Sequence, residues 1–149
     1  MKNKMKKIIG LLILGAVLIL AVYLYMSGQD MSYNTALRAN WGITLPYSGE
    51  EIYVKEIPEE SFNGDGERYR VFRYDEEPVF DKSIIWSDTT SGEHRLLEIV
   101  DNMNPDYKPD LNSESNRYFH MTGDRDARDK LWIIYDKESM MLYVVEDFY

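Results

Sequence analysis

The residues best suited to carry chemistry in this sequence are three aspartates in one short segment. Asp124, Asp126 and Asp129 are separated by one or two other residues, and alternating carboxylates on a flexible turn can bind Ca²⁺. The segment lacks the glycine and the glutamate that complete an EF-hand loop. Arg125 and Arg128 also neutralise the local charge. These aspartates are weak metal candidates, and the sequence favours a charged hairpin turn with local ion pairs.

The two histidines are the natural candidates for proton transfer. His94 falls in the first turn of a predicted helix, and His120 falls in a predicted strand. The sequence contains no G-x-S-x-G or H-E-x-x-H segment, no glycine-rich phosphate loop and no cysteine. We therefore predict no catalytic residues, no cofactor and no enzymatic activity. A hydrolase of envelope polymers, using carboxylates that the sequence does not single out, stays an alternative.

A third set of charged residues, Arg68, Arg70 and Arg73, is interleaved with aromatic residues on one predicted strand. Such a set can bind an acidic or aromatic ligand. In so acidic a protein we expect these arginines to pair with carboxylates of neighbouring strands. The preceding Asn-Gly-Asp-Gly at 63–66 raises the same question of metal binding, and it is more typical of a tight turn.

Two helices are predicted to hold these residues in place. The first is capped by Ser32 and stops at Gly42. The second begins in a capping box, Thr90 to Glu93. The predicted apolar face of the first helix consists of Tyr33, Ala36, Leu37 and Trp41, and that of the second consists of Leu96, Leu97, Val100 and Met103.

Alternating apolar and aromatic runs separated by turn residues predict the strands. They cover residues 51–57, 68–75, 117–121, 131–135 and 141–145, with an optional short strand at 83–86. The run Leu131–Tyr135 is apolar on both faces, which is typical of an interior strand. The polar loop Asn104–Asn116 is the longest connection and a candidate binding surface. The order predicts an α+β fold with one antiparallel sheet packed against two helices.

Residues 8–27 are predicted to form a transmembrane helix. The run Ile8–Met26 has 19 residues without a charge, which in a helix spans roughly 28 Å, close to the thickness of the hydrocarbon core. Four lysines precede this run, so residues 1–7 are predicted to be a cytoplasmic basic tail. Residues 28–149 then form the extracytoplasmic domain, and the partner of residues 8–27 is the lipid bilayer.

A cleaved signal peptide, with a secreted product, is the alternative interpretation of this segment. The apolar run is longer than a usual signal sequence. A cut after Gly28 places Met26 at the −3 position, where a small residue is expected. No cysteine is present to carry a lipid. These observations favour an uncleaved signal anchor.

Charge limits the partners of the outer domain. All 26 acidic residues and 13 of the 17 basic residues lie beyond the apolar run, which leaves a net charge near −13. Such a charge argues against nucleic acid as a partner and favours a soluble domain held close to the membrane. The lack of disulfides is compatible with a Gram-positive bacterial envelope.

The sequence therefore predicts a membrane-anchored domain with a non-enzymatic binding role at the cell envelope and an unidentified protein partner. An inhibitor or immunity-like protein that intercepts a basic toxin or hydrolase is an alternative, because an acidic surface steers basic proteins.

Overall fold

The computed structural model describes residue 15, residues 33–58 and residues 66–149. The predicted membrane span of residues 8–27 lies outside these residues apart from Gly15. The predicted helix cap Ser32 and the turn residues 63–65 lie outside them as well. Within the described part of the chain, no helix is both long enough and apolar enough to cross a bilayer.

The described residues form a five-stranded antiparallel sheet and two helices, which confirms the predicted α+β class. Helix α1 covers residues 33–41 and helix α2 covers Glu93–Met103. The strands are β1 (Glu50–Pro58), β2 (Gly66–Arg73), β3 (Asn116–Thr122), β4 (Lys130–Asp136) and β5 (Met141–Phe148).

The strand order in the sheet is β1-β2-β5-β4-β3, so the C-terminal strand β5 lies at the centre. A β1–β2 hairpin and a β3–β4–β5 meander therefore join along the β2–β5 ladder, which runs from Gly66 opposite Phe148 to Arg73 opposite Met141. The central position of β5 makes the end of the chain part of the core.

Alternation along the interior strands divides the core into two clusters. Leu131, Ile133 and Tyr135 of β4 point to one face of the sheet, whereas Trp132 and Ile134 point to the other. Each of these five side chains is at most 3% exposed. Helix α1 packs on the first face and helix α2 on the second, and we call these the α1 face and the α2 face. The prediction of an interior strand at 131–135 is confirmed.

Helix α1 buries Leu37 and Trp41 as predicted, but Ala36 is exposed and Asn34 is buried. The predicted apolar face is therefore wrong at these positions. The Asn34 amide donates to the backbone oxygen of Leu45 at 3.2 Å and accepts from its N–H at 2.8 Å. Both groups of the amide are satisfied, so its burial costs little. This clamp fixes the extended segment that follows the helix.

Helix α2 begins at Glu93, and the predicted capping box is not formed. Its N-cap is Gly92, which has a left-handed backbone (φ 70°), and no side chain caps the helix. The Ser91 hydroxyl lies 2.9 Å from Nδ1 of His120. The box requires Thr90 as the N-cap and Glu93 as the third helical residue. The helix instead begins at Glu93, and the Thr90 hydroxyl donates to the carbonyl oxygen of Ser91 at 3.3 Å.

The buried stripe of α2 faces Trp132 and Val145 on the α2 face. It consists of Leu96, Ile99, Val100 and Met103. Leu97 was predicted in this stripe and is 40% exposed, whereas Ile99 is fully buried. The true stripe follows the i, i+3, i+4, i+7 spacing of one helix face.

The optional strand at 83–86 is not formed. This segment makes a single isolated bridge, in which Ser87 and Tyr118 exchange backbone hydrogen bonds of 2.8 Å. Ile84 is buried in the α1-face core, while Ile85 is 79% exposed. The segment therefore covers a face of the sheet, and the chain adds only this one bridge to the edge strand β3.

Candidate functional site

Three adjoining depressions form a long concave surface in the described part of the chain. The first, which we call the first cleft, has a volume of about 230 Å³. Its lining residues are Tyr33, Asn34, Leu45, Pro46, Tyr47, Gly49, Glu50, Glu51 and Phe72. The Asn34–Leu45 clamp shapes its wall. A methyl group at Gly49 would lie 2.7 Å from the Tyr74 ring, so a side chain at this position requires the ring to move.

The second depression, which we call the acidic groove, is the largest of these three, at about 650 Å³. It is lined by Pro46, Tyr47, Ser48, Asp75, Glu76, Glu77, Pro78 and Val79. Tyr47 is 71% exposed and Val79 is 90% exposed. Large exposed apolar side chains beside three consecutive carboxylates give this groove both apolar contact area and negative charge.

The third depression, which we call the aromatic pocket, has a volume of about 190 Å³. Its walls include three aromatic rings in contact. The Phe80 ring packs edge to face against those of Trp86 and Tyr135, with centroid separations of 4.8 and 5.1 Å. The remaining lining residues are Glu77, Pro78, Arg117 and Lys137. Aromatic walls and basic side chains thus meet in one small space.

The three depressions are continuous along the surface. The first cleft and the acidic groove share Pro46 and Tyr47, and the acidic groove and the aromatic pocket share Glu77 and Pro78. We call the whole surface the composite groove. Its walls come from six separate parts of the chain, at 33–34, 45–51, 72–80, 86, 117 and 135–137. No local sequence pattern therefore predicts this surface.

The first cleft adjoins a buried carboxylate, Glu146, through Tyr33. Glu146 is 2% exposed and accepts hydrogen bonds from Trp41 Nε1 at 2.7 Å and from the Tyr33 hydroxyl at 3.3 Å. Burial raises the pKa of this carboxyl, although the two hydrogen bonds and the guanidinium of Arg68 act in the opposite direction. The guanidinium of Arg70 lies 4.3 Å from the centroid of the Tyr33 ring. No sequence pattern predicts this cluster, because its members are up to 113 positions apart.

The three predicted metal candidates lie in the β3–β4 turn and do not converge. The Asp126 carboxylate pairs with Arg128 at 2.7 Å, and this contact lowers the pKa of Asp126 to about 2. Asp129 accepts a hydrogen bond from the backbone N–H of Tyr149 at 2.8 Å. Asp124 is exposed. Among the residues that the structure describes, no group of acidic or histidine side chains is arranged to hold a metal ion.

The arginines of β2 pair with carboxylates of the neighbouring strand β1, as expected. Arg70 contacts Glu51 at 2.6 Å and Glu56 at 2.8 Å, and Arg73 contacts Glu50 at 2.6 Å. Two of the carboxylates that line the first cleft are therefore already engaged. The third arginine, Arg68, lies over the ring of Phe148 at 4.7 Å.

The structure brings together a serine and a histidine that the sequence did not connect. Ser91 Oγ and His120 Nδ1 are 2.9 Å apart, and the indole N–H of Trp132 donates to the Ser91 carbonyl oxygen at 2.9 Å. Burial lowers the pKa of His120, and Lys130 adds to this effect. The other ring nitrogen, Nε2, is buried and has no hydrogen-bond partner among the described residues. The pair lies outside the composite groove, and no described carboxylate orients the imidazole as in a catalytic triad.

Hydrogen bonds and a ring contact hold the loop 104–116 against the α2 face. The Tyr69 hydroxyl donates to the Tyr107 carbonyl oxygen at 2.7 Å, and the Tyr118 hydroxyl donates to that of Leu111 at 2.8 Å. The Tyr53 and Tyr107 rings pack at 5.8 Å. This candidate surface therefore lies away from the composite groove, which occupies the α1 face.

Comparisons with protein-family models, with curated proteins and with solved structures find no match to this chain.

Proposed function

We propose that this chain is a non-enzymatic binding module that holds a segment of a partner protein in the composite groove. The observation that carries the proposal is the continuity of the three depressions, since an extended segment needs a long concave surface and a small metabolite does not. The proposal includes the anchor, with residues 8–27 in the membrane and residues 28–149 displayed outside the cytoplasm.

Charge and exposure indicate the chemistry of the partner. Asp75, Glu76 and Glu77 are exposed carboxylates in the middle of the groove, and they favour a segment that carries lysine or arginine. The exposed side chains of Tyr47 and Val79 supply apolar contacts next to these charges. Aromatic residues beside charged groups are typical of the residues that dominate binding energy.

The contacts of the groove support a binding role more than a catalytic one. Glu50 and Glu51 of the first cleft are held in ion pairs by Arg73 and Arg70. The serine–histidine pair lies elsewhere on the sheet, on the α2 face.

Photo-crosslinking of the full chain in its native membrane tests this proposal. A photoreactive residue replaces Tyr47 or Val79 in the groove, and the same residue replaces the exposed Leu97 on helix α2 as a control. We expect a crosslinked protein from the two groove positions and none from position 97. Equal yields at all three positions would contradict the proposal.

Two triple variants that neutralise acidic residues test whether the charge of the groove selects the partner. Neutralising the groove with Asp75→Asn, Glu76→Gln and Glu77→Gln should lower the crosslinking yield at Tyr47 by about threefold or more, because steering by charge is lost. Neutralising three exposed acids elsewhere, with Glu93→Gln, Asp101→Asn and Asp106→Asn, removes the same net charge and should leave the yield unchanged. If both triple variants behave alike, the acidic groove does not select the partner.

The acidic groove also favours a second candidate function, inhibition of a basic toxin or hydrolase at the cell surface. Such an inhibitor covers the active site of its target, so the protein should reduce the activity of a basic envelope hydrolase at equimolar concentration. The groove-neutralised triple variant should lose this inhibition, and the control triple variant should retain it.

A further inference from the structure

We infer that the aromatic pocket is a carboxylate-binding site, which takes a carboxylate carried on a small apolar group. The inference deepens the proposed function and rests on it in one respect, because one source of such a carboxylate is the C-terminus of the partner polypeptide. A free organic acid of low molecular weight is the other source.

The size and walls of the pocket suit an apolar group. A cavity of about 150 Å³ lined by apolar side chains holds a benzene ring, and this pocket has about 190 Å³. Phe80, Trp86 and Tyr135 stack edge to face around it, and Tyr74 supports both Phe80 and Tyr135 from behind, with centroid separations of 6.3 and 6.5 Å. Mutually packed rings form a rigid wall that needs little ordering when a ligand enters.

The strongest indication of a missing ligand group is the Tyr135 hydroxyl. Tyr135 is 3% exposed, and its hydroxyl is buried without a hydrogen-bond partner among the described residues. Buried polar groups are almost always paired, so such a group indicates an acceptor supplied from outside. Tyr135 lines the pocket together with the exposed residues Glu77 and Lys137, and we expect side chains of the pocket to rearrange when a ligand oxygen reaches the hydroxyl.

Two cations at the mouth indicate that the acceptor is an anion. Arg117 lies opposite Tyr135 in the β3–β4 ladder. Its ion-pair partner is Asp88, whose side chain is 84% exposed, at 3.1 Å, so this pair is screened by water and easily exchanged. Lys137 is exposed and has no carboxylate partner among the described residues. A guanidinium fork matches both oxygens of a carboxylate.

Glu77 lines the same pocket, and its negative charge repels an anion. The charged side chains of the pocket still carry a net positive charge, because Arg117 and Lys137 supply two positive charges against this one negative charge. Its oxygens can accept a hydrogen bond from an N–H group. The last residue of a polypeptide presents an amide N–H next to its carboxylate, whereas a free organic acid has no such donor. A hydrogen bond from the ligand to Glu77 can therefore form with a polypeptide C-terminus and not with a free organic acid.

Binding of small probes to the full chain in detergent micelles tests the inference, with Trp86 fluorescence and amide chemical shifts as readouts. N-acetyl-phenylalanine should bind, whereas its carboxamide should bind about tenfold more weakly or not at all, because it lacks the charge. Phenylpropionate, which has the carboxylate and the ring but no amide, separates the sources. Tighter binding of N-acetyl-phenylalanine assigns the site to a polypeptide C-terminus, and equal or tighter binding of phenylpropionate assigns it to a free acid.

Single substitutions test which side chains of the pocket contact the ligand. Tyr135→Phe should weaken binding of N-acetyl-phenylalanine about tenfold, and Arg117→Gln should do so by a similar factor. Lys108→Gln removes one positive charge from the loop on the α2 face and should leave affinity unchanged. Without ligand, Tyr135→Phe should not lower the melting temperature, because it removes a hydroxyl with no described partner.

Equal affinity for the acid and the carboxamide, no effect of Tyr135→Phe on binding, or a lowered melting temperature of that variant without ligand would each overturn the inference. A chain that crosslinks a partner at Tyr47 but binds none of these probes refutes the carboxylate site alone. A chain that binds the probes but crosslinks nothing refutes the proposed partner and leaves the site as a receptor for a free acid.

Discussion

Glu146 shows at the scale of one residue how this fold tolerates a charge in its core. The carboxylate is buried between α1 and the centre of the sheet, opposite Arg68 in the β2–β5 ladder. Trp41 and Tyr33 both donate hydrogen bonds to it. Burial is the largest influence on its pKa and raises it from the ordinary value of 4.5. The folded state therefore binds a proton more tightly than the unfolded chain does.

The sign of this shift gives a prediction for stability against pH. A raised pKa means that the contribution of Glu146 to stability is complete below about 4.5 and is lost as the pH rises through the higher folded value. Glu146→Gln keeps an acceptor for Trp41 and has no proton to lose. The free energy of unfolding of the wild type should therefore fall relative to that of Glu146→Gln in this window, by at most about 1.4 kcal/mol per pH unit.

Urea unfolding of both proteins between pH 4 and pH 8 measures this difference. Glu114→Gln removes a charge from an exposed site away from the cluster and should follow the wild-type profile. A wild type that gains stability over Glu146→Gln as the pH rises would mean that hydrogen bonds and arginines outweigh burial, and that the pKa is lowered.

At the scale of elements, helix α2 is tied to the sheet by one arginine. Arg95 Nε and Nη2 donate to the two carboxylate oxygens of Asp147 at 2.8 and 3.0 Å, and Nη2 also donates to Glu67 at 2.9 Å. The side chain of Asp147 is 3% exposed, whereas that of Glu98, a further partner of Arg95, is 50% exposed. Without the arginine, the buried carboxylate of Asp147 would lack a compensating charge, whereas water solvates the carboxylate of Glu98.

Removing Arg95 should therefore leave a buried carboxylate without compensation. We predict that Arg95→Met lowers the free energy of unfolding by roughly 2–4 kcal/mol, toward the lower end because Arg95 is partly exposed. Glu98→Gln, the matched control, should change it by less than about 0.5 kcal/mol. Chemical denaturation at neutral pH checks both values, and similar effects of the two variants would show that the clamp on Asp147 contributes no more than a surface ion pair.

The elements themselves were largely predictable, because local periodicity reports which side of a helix or strand is apolar. All five strands and both helices lie where the pattern of apolar residues places them. One of the failures has an identifiable cause, which is polar pairing across the fold. Asn34 is buried because the backbone of Leu45 satisfies both groups of its amide. Such pairings do not produce a periodic pattern in the sequence.

The composite groove was unpredictable for a related reason. It is built where the segments around Tyr47, Val79, Arg117 and Lys137 meet, and these residues are far apart in the chain. The aspartates of the β3–β4 turn, in contrast, are clustered in sequence and do not form a site. Asp126 pairs with Arg128, and Asp129 accepts from the backbone of Tyr149. Clustering in sequence is a weak guide to a site whenever strand pairing brings distant residues together.

At the scale of the whole molecule, the distribution of charge predicts where the chain resides. Residues 8–27 carry no charge, the four lysines before them favour the cytoplasm, and the net charge near −13 lies wholly on the other side. A membrane tether raises the local concentration of the groove near partners at the same surface, and this strengthens their binding. Membrane retention is therefore part of the function that we propose.

The full chain should accordingly remain in the membrane pellet after extraction at alkaline pH, and external protease should degrade the domain in intact protoplasts. Leu14→Arg with Leu18→Arg places two charges in the span, each costing about 2.5–3.5 kcal/mol near the centre of a membrane helix. This variant should be lost from the pellet, whereas the matched Leu14→Ile, Leu18→Ile variant should stay. Recovery of a soluble wild-type protein whose N-terminus begins beyond Met26 would instead establish a cleaved signal peptide, and the partner would then have to be sought in the medium.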